Sequence, residues 1–96
     1  TFASVSEIRT SLGFTQTELA KLLNMYQVEY YRKEKANDTI LQNSLITLYP
    51  KLKEYIELKQ KRKDLINYYK RNYWLEPNME EIEEIDKLLD SFSFSF

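Results

Sequence analysis

The chain contains no cysteine and no histidine among its 96 residues. Disulfide frameworks, zinc ribbons, thiol nucleophiles and imidazole general bases are therefore excluded, and neither enzymatic activity nor a cofactor is expected. One glycine and two prolines are too few to punctuate many tight hairpins or long irregular loops. No apolar run approaches the roughly 20 residues that cross a bilayer, and no signal pattern opens the chain, so a cytoplasmic protein without a membrane partner is expected. The first residue is Thr1 rather than an initiator methionine, which leaves room for native residues before it.

A hydrophobic fraction of 43% with 15% aromatics is enough to bury one modest core. With so few breakers, the expected fold class is all-α. Val5, Ile8 and Leu12 recur at helical spacing, and Gly13 then suits the left-handed conformation that ends a helix. Thr15 stands three residues before Glu18, the spacing of a capping box, and Leu19, Ala20, Leu22 and Leu23 follow it. Asn24 tolerates positive φ better than most residues and fits a short turn before a second helical segment from Met25 to about Lys35.

The run "IRTSLGFTQTELAKLLNMYQVEYYRKEKAND" resembles the Cro/cI-type (XRE) helix-turn-helix family, and "LQNSLITLYPKL" is compatible with that family's next core helix. The resemblance implies a compact helical domain whose second motif helix enters the major groove of double-stranded DNA, usually as a homodimer on a two-fold site. By the same resemblance Gln16 corresponds to a phosphate-contacting glutamine. Gln27, Val28, Tyr31 and Arg32 correspond to positions that face DNA, Met25 and Tyr30 to core positions, and Glu34 to a frequent family glutamate. The chain departs from the family pattern at Asn24, where glycine is usual, at Tyr26, where serine or threonine is usual, and at Lys33, where an apolar or aromatic residue is usual.

Charge is segregated along the chain. Residues 1–50 carry five basic and five acidic side chains, residues 51–75 eight and three, and residues 76–96 one and seven. Net charge thus runs from zero through +5 to −6. Because phosphate neutralisation supplies most non-specific DNA affinity, a neutral reading head would depend on Arg32, Lys33 and Lys35, on dimerisation or on the basic segment. Glu29 adds a negative charge near the same surface.

The basic segment begins at Pro50, a good first-turn residue, and meets no further breaker before Pro77, which predicts one long helix. Leu52, Tyr55, Ile56, Ile66, Tyr69 and Tyr73 share a broad face, with Lys59 and Lys63 interrupting it. "KQKRK" is either a solvated face or a phosphate-contacting patch, and "NYYKRNYW" either core or a platform for stacking single-stranded bases. Asn78 is placed to cap a last acidic helix, with Glu81 three residues on and Met79, Ile82, Ile85, Leu88 and Leu89 along one side. This helix either folds back antiparallel on the basic one or meets another subunit or protein. "SFSFSF" alternates as a short edge strand or an anchoring arm would, with at least one phenylalanine buried. Glu80, Glu83, Glu84 and Asp86 crowd together, but without an organised pocket they read as a solvated helix face.

The expected organisation is a helix-turn-helix core over residues 1–50 and a helical extension over 51–96, packed on the core or forming a dimer interface. The expected function is sequence-specific DNA binding as a dimeric transcriptional regulator. The rival is a protein-interaction module on the same scaffold, such as a phage or mobile-element inhibitor, an antitoxin or an assembly subunit, with the C-terminal helix and tail reaching the partner.

Overall fold

The computed structural model describes residues 3–94. They form five helices, α1 (Val5–Leu12), α2 (Gln16–Leu22), α3 (Gln27–Lys35), α4 (Thr39–Arg71) and α5 (Met79–Ser91), with no strand among the described residues. The protein is all-α. It divides into two compact units, one comprising residues 3–52 with Phe94, the other residues 53–93, and α4 contributes to both.

In the first unit each helix end has a local chemical cause. Ser4 caps α1 by accepting from the Glu7 backbone N–H, and Gly13 ends it at φ 81°. A residue with a Cβ would be strained at that φ even though the space around it is open. Thr15 and Glu18 form the reciprocal capping box of α2. Asn24 follows at φ 57°, turning the chain so that the Met25 N–H reaches the Ala20 carbonyl at 2.9 Å. A second left-handed residue, Asn37 at φ 48°, sits between α3 and α4. Its side-chain oxygen accepts from the backbone N–H of Val5 at 3.0 Å, tying the start of α1 to the end of α3. Asp38 then caps α4 by accepting from the Leu41 N–H.

The core of this unit collects the apolar stripe of each helix. Val5, Ile8 and Leu12 of α1, Leu19 and Ala20 of α2, Tyr30 of α3, and Leu41, Leu45 and Leu52 of α4 are buried, joined by Phe14, Leu23 and Phe94. Each fully buried aliphatic side chain contributes about 1.5–3 kcal/mol, so the position of α3 is over-determined by its neighbours rather than by its own short length. Phe94 meets the expectation that one tail phenylalanine is buried, in a chain that does not form a strand there. Ser95 and Phe96 lie outside the described residues.

Pro50 does not begin a helix. It lies inside α4, which is continuous from Thr39. The ring removes one N–H, the one that would have reached Ile46, and both residues are on the exposed side. Water can satisfy the Ile46 carbonyl there, while Leu45 and Leu52, seven residues apart, hold the helix on both sides of the proline.

In the second unit, α5 runs back antiparallel beside the latter part of α4. Tyr55 meets Phe92 edge to face at 5.7 Å between ring centres, and Arg62 donates to Asp86 at 2.6 Å. The buried contact residues on α5 are Ile82 and Ile85, and Asn78 caps its first turn through the Glu81 N–H. Contrary to the expected run to Pro77, α4 ends at Arg71. The Asn72 side-chain amide donates to the Tyr68 carbonyl at 2.8 Å, closing the helix end, and the chain then turns. Tyr73, expected on the shared apolar face, is instead 85% exposed.

Candidate nucleic-acid interface

α3 is a nine-residue helix of about 13 Å whose two sides have separate tasks. Its inner side carries Tyr30 and Glu34, four residues apart and both buried. Its outer side carries Gln27, Val28, Tyr31, Arg32 and Lys35, all exposed. The spacing of four between Gln27 and Tyr31, and between Tyr31 and Lys35, aligns these three in one row. Val28 and Arg32 form the adjacent row. Five of the expected contact residues are therefore brought together on one helix surface.

Lys33 differs from them. It is half-buried at the flank of α3, where its ammonium lies 3.9 Å from the Glu29 carboxylate one turn earlier. Gln16 is the first residue of α2 and half-buried there, beside the capping box formed by Thr15 and Glu18. It shares no helix with the other six.

Charges on α3 are sorted by depth, which residue counts alone do not reveal. Glu34 is taken off the surface by Arg9 of α1. The guanidinium Nε and Nη2 both reach the carboxylate at 3.0–3.1 Å, and Nη1 donates to the Phe14 carbonyl at 2.8 Å. The Glu29 carboxylate lies 3.9 Å from the Lys33 ammonium. Among the described residues, Arg32 and Lys35 are in no ion pair. The outward surface of α3 is consequently positive although residues 1–50 sum to zero.

The pattern also contains an apolar element. A surface groove of about 520 Å³ is lined by Tyr26, Val28, Glu29, Arg32 and Lys33. Tyr26, which precedes α3, is 84% exposed and contributes no side-chain hydrogen bond to the helix start. Its role in the groove was not among the expected contacts. The available signal was an aromatic at a capping position, where a side chain that cannot accept from the first turn is left pointing outward.

The buried Tyr30 hydroxyl lies close to the Arg9–Glu34 pair. Burial, then the Glu34 charge, pushes its pKa well above the ordinary phenol value, with Arg9 acting in the opposite direction. The ring is thus a neutral core element that supports α3 from beneath and takes no part in proton transfer near neutral pH.

Among the described residues, no group of three or more acidic side chains converges as a metal site. No helix of the described residues is long and apolar enough to cross a membrane. Comparison with family models, with curated proteins and with solved structures finds no match.

Proposed function

We infer that this chain is a sequence-specific DNA-binding regulator of Cro/cI type, acting as a dimer in the cytoplasm by occupying a DNA site. The observation that carries this reading is the outward surface of α3, where Arg32 and Lys35 stand exposed without an acidic partner among the described residues, beside Gln27 and Tyr31. Gln27 offers the donor and acceptor that pair with adenine, Arg32 the fork that pairs with guanine, and Val28 an apolar contact for a thymine methyl. Gln16, at the start of α2, together with Lys33 and Lys35, would hold phosphates and set the register.

The test is selection from a random duplex-DNA pool at low and moderate salt. The expected outcome is enrichment of a two-fold sequence, bound less tightly as salt rises. Replacing Gln27 by alanine should then cost about 1–3 kcal/mol of discrimination at one base position while leaving non-specific affinity nearly unchanged. An equal loss on every sequence would remove Gln27 from base reading. No binding even at low salt would overturn the proposal.

A second reading rests on a different observation. The groove beside Tyr26 and Val28 is an apolar feature on the same surface, suited to a protein side chain. On that reading the scaffold serves as an inhibitor, antitoxin or assembly subunit, and a failed DNA selection directs attention to this groove.

A further inference from the structure

The second unit carries two exposed patches of opposite charge next to one another. The first is the end of α4 and the turn beyond it. Tyr68, Tyr73 and Trp74 are exposed there, Trp74 at 68%, beside Lys70 and Arg71. Tyr68 packs edge to face on Tyr69, and Tyr73 on Trp74, at centre distances of 5.5 and 5.4 Å. The rings are therefore arranged against one another while much of their surface faces water. Exposed Trp, Tyr and Arg together are the side chains that dominate binding energy at protein interfaces.

The second patch is a groove of about 460 Å³ between α4 and α5. Leu58, Ile85 and Leu88 give it an apolar floor, and Glu80, Glu81 and Glu84 an acidic rim, to which Lys61 adds one positive charge. Among the described residues none of these three glutamates is in an ion pair, and neither Lys70 nor Arg71 is. The pairing of Arg62 with Asp86 is what joins α4 to α5 electrostatically, so the complementary charges at the two patches are not consumed inside the unit.

We propose that two copies of this chain associate reciprocally through the second unit, each placing its basic aromatic end, centred on Arg71 and Trp74, in the acidic groove of the other. Charge complementarity selects a second copy as the occupant. A two-fold interface requires one surface that complements itself, which adjacent patches of opposite sign provide. Trp74 and Asn78, at the groove mouth, are four residues apart and hence no more than about 14 Å distant along the chain, so one two-fold axis between the patches can serve both contacts. Six rings from two copies, each more than half exposed, supply on the order of 800 Å² of buried surface before lysine stems and the acidic helix are counted. A stable specific interface needs roughly 1,200 Å² in total, which this arrangement approaches from the rings alone. The inference deepens the dimer of the proposed regulator, but it is measured without DNA, so its failure and the failure of DNA binding are separately visible.

The experiment is sedimentation of the full chain, without nucleic acid, for the native protein and two charge-reversed variants, Lys70→Glu/Arg71→Glu and Glu80→Lys/Glu84→Lys. The native chain is expected to dimerise at micromolar concentration and to weaken as salt increases. Each variant alone is expected to be monomeric, since it carries like charges on both patches. Mixed in equal amounts, the two variants are expected to recover the dimer, because the two reversed patches then face each other and so do the two unreversed ones, each pair opposite in sign; unfolded chains would not give that rescue. Trp74→Ala, which changes no charge, is expected to weaken the native dimer at least tenfold. A monomeric native chain at 100-fold higher concentration would overturn the proposal, as would a dimer insensitive to all three variants. Quenching of Trp74 fluorescence by oligo-thymidine on a chain that stays monomeric would also overturn it, assigning the aromatic end to single-stranded nucleic acid.

Discussion

Arg9 and Glu34, twenty-five residues apart in sequence, form a forked ion pair that fastens α1 to the inner side of α3. The carboxylate side chain is only 7% exposed and the guanidinium 16%, so neither charge is answered well by water once its partner is lost. Glu34→Ala and Arg9→Ala are each expected to destabilise the chain by about 3–5 kcal/mol in urea denaturation. Small domains have only about 5–15 kcal/mol in total, so either change removes much of the native population. The double replacement Arg9→Met/Glu34→Leu leaves no buried charge and is expected to cost far less than the two single changes together. Additive losses would show that the pair acts through separate contacts.

The Tyr30 hydroxyl lies beside that pair, buried and without a hydrogen-bond partner among the described residues. An unsatisfied buried hydroxyl costs about 1–3 kcal/mol, so Tyr30→Phe is expected to be neutral or stabilising near pH 7. The pH dependence has a definite sign. Below the ordinary phenol pKa of about 10, folded and unfolded chains both hold the proton, and Tyr30 contributes no slope. Above it the unfolded chain releases the proton first, because burial and Glu34 raise the folded value. Stability attributable to Tyr30 is then lost with rising pH at up to about 1.4 kcal/mol per unit, until the folded pKa is passed. Comparing native and Tyr30→Phe denaturation from pH 9 to 11 isolates this slope. A phenylalanine variant less stable at pH 7 by more than about 1 kcal/mol would mean that the hydroxyl is bonded after all.

The features readable along the chain were those in which a residue acts on its immediate neighbours. Thr15 with Glu18, Gly13 after Leu12, Asn24 after Leu23 and Asn78 before Met79 each act within a few residues, and each is found where the spacing placed it. The resemblance to the helix-turn-helix pattern implied Tyr30 inside and Gln27, Val28, Tyr31 and Arg32 outside, and they lie on those sides. What resisted reading depends on contacts distant in sequence or on solvent. That Pro50 sits within a helix depends on Leu45 and Leu52 being buried on either side of it, not on the proline. Nothing near Asn37 in sequence marks its role, because its partner, the Val5 N–H, is thirty-two residues away. The positive outward surface of α3 was hidden for the same reason: a count of charges cannot show that Arg9 removes Glu34 from it.

Tyr26 occupies the position before α3 at which a short polar side chain would accept from the exposed N–H groups of the first turn, and it makes no such bond. Its extended backbone, at φ −68° and ψ 143°, is already that of a capping residue. Tyr26→Ser is therefore expected to raise stability by about 0.5–2 kcal/mol, measured by thermal or urea unfolding. The same change removes an exposed ring from the groove beside Val28. If the protein-partner reading holds, stability rises while partner affinity falls, and a cap retained at the expense of stability is then explained by binding. A variant that is not stabilised would show that the ring supports α3 through packing.

Glu29 is half exposed on the first turn of α3 and lies 3.9 Å from Lys33. Beside a DNA backbone it acts twice against binding, first by repelling phosphate and second by occupying the ammonium of Lys33. It also favours the start of its own helix, where a negative charge meets exposed N–H groups, so removing the charge costs about 0.3–1 kcal/mol of stability. Glu29→Gln is therefore expected to tighten DNA binding while slightly destabilising the fold, two effects of opposite direction that a merely damaged protein would not show. With one negative charge fewer beside Lys33, the slope of log affinity against log salt should steepen by about 1. The measurement is a salt titration of binding to duplex DNA for native and variant chains, paired with their unfolding midpoints. An unchanged slope would place Lys33 away from the phosphates, and weaker binding would mean that Glu29 itself contacts a base, as a carboxylate accepting from a cytosine amino group does.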